Sequence, residues 1–73
     1  MSEKKQMMAD MVTKLALLLM EQKSELTMEQ ALTIVFNSDT YQKLLDERTG
    51  LYYQSPRYVF SFLDVELKKG KME

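Results

Sequence analysis

Two pairs of closely spaced carboxylates, Asp46 beside Glu47 and Asp64 two positions before Glu66, are the first places to look for chemistry. General acid–base catalysis uses two such groups when their surroundings push their proton affinities apart. On a helix, however, neighbours one or two positions apart point away from each other, so neither pair converges on a substrate and both are expected on solvated surface. Histidine and cysteine are absent, which removes the commonest general base and the soft metal ligands. The run from Asp46 to Gly50 does not make a calcium loop, because Arg48 stands where an oxygen ligand is needed. Gly50 and Gly70, the only glycines, are too far apart to cradle a phosphate. The expectation is no catalytic residue, no metal, no cofactor and no enzyme activity.

Recognition is what remains. The segment Asp46–Val59 holds the single proline, both arginines and three of the four tyrosines. Tyr and Arg are favoured anchors in protein interfaces, which makes Tyr52, Tyr53, Arg57 and Tyr58 the candidate contact group. Phe62 and Val65 join them on the helix that follows. For Tyr52 and Tyr53 individually, closing the bottom of a helical bundle is the stronger expectation. Arg57 falls near a helix start, where the dipole disfavours a cation. A carboxylate from Asp46, Glu47 or a partner is expected to compensate it.

The elements that position this group can be read from apolar spacing. Met8, Val12, Leu15 and Leu19 repeat at 4-3-4 intervals and predict a first helix over about residues 4–23. Its apolar face, widened by Met7, Met11, Ala16 and Leu18, covers roughly 180° at about 100° per residue, more than a surface helix needs. Its methionines, including Met20, are expected to fill core gaps while suiting an adaptable interface. Thr27-Met28-Glu29-Gln30 fits a capping box and opens a second helix over 28–36. Ser38 caps a short third helix over 39–48, with Tyr41, Leu44, Leu45 and the stem of Arg48 as its buried stripe. Gly50 ends it in the left-handed conformation, Tyr52 to Gln54 run extended, and Ser55-Pro56 starts a fourth helix over 56–69.

A chain of 73 residues makes one domain, here a single helical domain over 1–73 with about 1–4 and 71–73 frayed. Its stability is on the order of 4 to 11 kcal/mol. The net charge of −1 is interspersed rather than blocked, which suits a solubilising surface and argues against nucleic acid as a main partner. The absence of cysteine fits a reducing, cytoplasmic setting. Leu15–Met20 is too short for a membrane span, which needs about 20 apolar residues, and no cleavage signal follows it. Helices two and three with the Asn37-Ser38 turn resemble a helix-turn-helix in outline. This DNA-binding alternative suffers because the third helix sets Asp39, Asp46 and Glu47 against only Lys43 and Arg48.

Thr27-x-Glu29-x-Ala31-Leu32, Ser38-x-x-Tyr41-x-x-Leu44, Tyr53-x-Ser55-x-x-Tyr58-Val59 and Leu63 together resemble a group of short bacterial all-helical proteins of unknown function, some encoded beside toxin-type genes. The resemblance spans about residues 8–68 and implies an antitoxin-like or accessory binding role. It transfers no catalytic residue.

The predicted fold is all-α, a small compact bundle of four helices with a short third helix. Its core is expected to contain Val12, Leu15, Leu19, Leu32, Val35, Leu44, Leu45, Val59, Leu63 and Leu67. The fourth helix carries a second apolar stripe, Tyr58, Phe62 and Val65, roughly 100° or more from the first. With the wide face of helix one, it predicts a protein partner or self-association as a homodimer. The competing expectation is that helix one wraps over both stripes within one chain.

Overall fold

The computed structural model describes residues 3–70. Four α-helices follow in order: α1 (Glu3–Gln22), α2 (Met28–Phe36), α3 (Asp39–Leu45) and α4 (Pro56–Gly70). Two 3₁₀ turns, Glu47–Thr49 and Leu51–Tyr53, connect α3 to α4, and there is no strand among the described residues. The chain is an all-α bundle with a radius of gyration of 11.8 Å, close to the roughly 11 Å of a compact domain this long. The ends expected to fray at 1–2 and 71–73 lie outside the described residues, whereas Glu3 and Lys4 are already helical.

Capping chemistry sets the helix starts. The Thr27 hydroxyl accepts from the Gln30 amide at 3.1 Å, and the Gln30 side chain accepts from the Thr27 amide at 2.9 Å, a complete capping box. Ser38 is buried and works in both directions: its hydroxyl donates to Val35 O (2.6 Å) and accepts from the Tyr41 amide (3.0 Å). The end of α2 and the start of α3 are thereby fixed on one oxygen. Ser55 accepts from the Tyr58 amide at 3.2 Å, and Pro56 takes the first helical position, where a missing amide is harmless.

Met11, Val12, Leu15, Ala16 and Leu19 of α1 form the spine of the core, against Ala31 and Val35 of α2, Leu44 of α3, Leu51, and Val59 and Leu63 of α4. Leu32 and Leu67 are half-buried at its edge. Leu45, expected inside, is 42% exposed, and the Arg48 side chain stands in water. The physical reason is that α3 stops at Leu45, three residues early. Asp46 leaves the helix in an extended conformation (φ −83°, ψ 109°), and its carboxylate accepts from the Arg48 amide, Nε and Nη2 at 2.9–3.0 Å. Short polar side chains compete for the backbone in this way. The inward stripe of α3 is therefore Thr40 and Leu44, both buried.

Thr40 can turn inward because α4 supplies a partner for it. Glu66 accepts from the Thr40 hydroxyl (2.8 Å), the Thr40 amide (2.9 Å) and the Asp39 amide. With Ser38 taking the Tyr41 amide, three of the amides left orphaned at the start of α3 are satisfied. The pair Asp64 and Glu66 is thus not idle solvated surface. Asp64 accepts from Gln22 of α1 and pairs with Lys68, both at 3.3 Å.

Burial acts to raise the Glu66 carboxyl, but the bonds from Asp39 and Thr40, with the Lys43 charge, hold it below its ordinary 4.5. A carboxyl depressed by folding contributes stability above its unfolded value, and that contribution is lost as pH falls through the folded one. Hydrogen bonds to a charged group, discounted for partial exposure, put it at about 1–2 kcal/mol. Urea unfolding of wild type and Glu66→Gln should therefore differ by about that amount at pH 7 and converge once the pH is well below 4.5.

Candidate functional site

The link from α3 to α4 decides where the tyrosines go. The Thr49 hydroxyl lies 2.7 Å from Lys43 O and 2.9 Å from Asp46 O, and it accepts from the Leu51 amide at 3.2 Å. Gly50 then adopts the left-handed conformation (φ 68°, ψ 12°), which a side chain would oppose. Leu51 is delivered into the core, 7% exposed. The expected extended run over Tyr52–Gln54 is replaced by a 3₁₀ turn, and only Gln54 is extended.

That turn separates two tyrosines that sequence alone could not tell apart. Tyr52 packs against the core, closing the bundle as expected, while Tyr53 is 62% exposed. Their rings meet edge to face with centroids 5.1 Å apart. Tyr53 lies over Gly50: an added Cβ there would fall 2.8 Å from the Tyr53 hydroxyl oxygen.

On α4, Tyr58, Phe62 and Val65 stand at i, i+4 and i+7 and share one face. All three are exposed, at 51%, 41% and 51%, while Val59 and Leu63 on the other side are fully buried. The Tyr58 and Phe62 rings meet edge to face at 5.1 Å, so this stripe is ordered by its own packing. Helix one does not wrap over it. The broad apolar face of α1 turns to the chain's own core, with Met8 and Met20 packed at the edge and only Met7 and Leu17 left exposed among its large apolar residues.

The six candidate residues do not form one cluster. Tyr53 and the α4 stripe are separate exposed features, Tyr52 is largely structural, and no ring contact joins the two pairs among the described residues. Arg57 lines a groove between α1 and the start of α4. Neither proposed carboxylate reaches it: Asp46 is held by Arg48 at 2.9 Å and Glu47 by Lys4 at 3.0 Å. The Glu47 contact raises the proton affinity of Lys4 and ties the start of α1 to the first 3₁₀ turn.

Sequence reasoning missed a second exposed apolar area, where Phe36 and Leu45 stand 48% and 42% exposed. The Phe36 ring meets Tyr41 edge to face at 5.2 Å. The early end of α3, signalled by Asp46 two residues before Arg48, contributes Leu45 to this area. No known family, curated protein or solved structure matches this chain.

Gly50→Ala should cost about 1–2 kcal/mol for the left-handed backbone alone. It should also push the Tyr53 ring off the turn. Urea unfolding reads the first effect, and a shift of the Tyr53 ring resonances in NMR spectra reads the second.

Proposed function

We propose that this chain is a small protein-interaction module rather than an enzyme. Its contact face is the outer stripe of α4, and its first partner is a second copy of itself in a twofold homodimer. The observation that carries this reading is the exposure of Tyr58, Phe62 and Val65 on a helix whose Val59 and Leu63 are fully buried. Apolar patches left in water usually mark contact sites, and twofold homodimers are the commonest oligomers. Three side chains cover less than the roughly 800 Å² per partner of a standard interface, so the association is weak and concentration-dependent. The antitoxin-like or accessory role implied by the resemblance to short bacterial helical proteins is one form of this reading, and a cytoplasmic setting belongs to it. No helix among the described residues is long and apolar enough to cross a membrane.

Against the DNA-binding alternative stands the start of α3. Its leading amides are occupied by the Glu66 carboxylate, and Asp39 sits in its first turn. A recognition helix needs that end free for phosphates or base edges.

Sedimentation equilibrium at tens of micromolar protein tests the proposal. A dimer mass is expected, and Phe62→Glu should abolish it at a stability cost of about 0.5–1.5 kcal/mol from the lost Tyr58 ring contact. A single monomer mass at every concentration would remove the stripe as a self-association face.

A further inference from the structure

A groove of about 470 Å³ runs between the second half of α1 and the first turn of α4. Leu17, Leu18 and Pro56 give it apolar walls, Ser55 lies at one end, and Lys14 and Arg57 bring one cation from each helix. No carboxylate lines it. Neither Lys14 nor Arg57 makes an ion pair among the described residues. Arg57 stands at the second position of α4, where the dipole already disfavours positive charge. Asp46 and Glu47 are engaged with Arg48 and Lys4, and Asp10, which lines the neighbouring pocket with Lys14 and Pro56, accepts from Gln6 and does not line this groove.

We infer that this groove receives an acidic amphipathic segment of a partner protein, with an apolar side chain seated between Leu17, Leu18 and Pro56 and carboxylates on both sides meeting Lys14 and Arg57. Complementary charge around an apolar anchor is how such surfaces select partners. Two cations on opposite helices call for two carboxylates, which a peptide presents and a simple fatty acid does not. The inference rests on reading the chain as an interaction module but uses no residue of the Tyr58–Phe62–Val65 stripe. A monomer in sedimentation with a positive result here would remove only the stripe.

The test is an NMR titration of the full chain with two synthetic peptides, one of repeated Leu-Glu-Glu-Leu and one with Lys replacing every Glu. Saturable amide shifts at Lys14, Leu17, Leu18 and Arg57 are expected with the acidic peptide alone. Binding should weaken about tenfold in the double variant Lys14→Glu, Arg57→Glu, which should bind the basic peptide instead. Comparison of the two peptides on wild type depends on no variant folding. Equal shifts from both peptides, shifts confined to the α4 stripe, or no shifts at millimolar peptide would overturn the inference. So would octanoate producing the same shifts at the acidic peptide's affinity, because the groove would then be a small-molecule site.

Discussion

One carboxylate sets how the last two helices lie. Glu66 reaches from α4 to the open start of α3 and accepts from the Asp39 amide and from both the amide and hydroxyl of Thr40. A helix start is a natural seat for negative charge, because its orphan amides and dipole both favour it. Fixing Glu66 there fixes the roll of α4. At about 100° per residue, Val59 and Leu63 are carried inward while Tyr58, Phe62 and Val65 are carried out. The same bond lets Thr40 turn inward beside Leu44.

The second constraint is size. The four helices of the described residues cannot cover every apolar face they carry, since a chain of 73 residues buries only about 60% of its unfolded surface. α1 is the hub, contributing five buried side chains, and its wide face is consumed within the chain. What is left over lies on the outer side of α4, around Phe36 and Leu45, at Tyr53, and along the groove beside Arg57. The contact surfaces proposed here are therefore consequences of how a small core divides its apolar residues, and need no motif.

The parts of the fold legible in the sequence are those fixed by neighbouring residues. Thr27 with Gln30, Ser38 and Ser55-Pro56 announce their caps because the groups they satisfy lie within a few positions, whereas Gly50, expected to end α3, closes the 3₁₀ turn after it. The span Met28–Phe36 could accordingly be read to the residue. The link between α3 and α4 was not legible, since the Thr49 hydroxyl shapes it by reaching back to Lys43 and Asp46 and converts an expected extended run into a tight turn. Glu66 was hidden for a different reason: its partners are 26 and 27 residues away, and a lone glutamate on a helix carries no sign of such a reach. Of the candidate contact residues, the outward stripe on α4 followed from helical spacing, whereas the split between Tyr52 and Tyr53 depended on that unreadable turn. Arg57 was expected to meet a carboxylate from Asp46, Glu47 or a partner, but Asp46 is paired with Arg48 and Glu47 with Lys4.

If Glu66 holds α4 in its present roll, the core, the outward stripe and the groove follow together. The most direct measurement is a carboxyl-carbon NMR titration of Glu66, with the Asp39 and Thr40 amide protons followed alongside. The account predicts a Glu66 midpoint below the ordinary 4.5, with both amide resonances moving through the same midpoint as their acceptor is protonated. A midpoint at or above that value, with amides indifferent to pH, would show that the carboxylate does not cap α3 and would contradict the account.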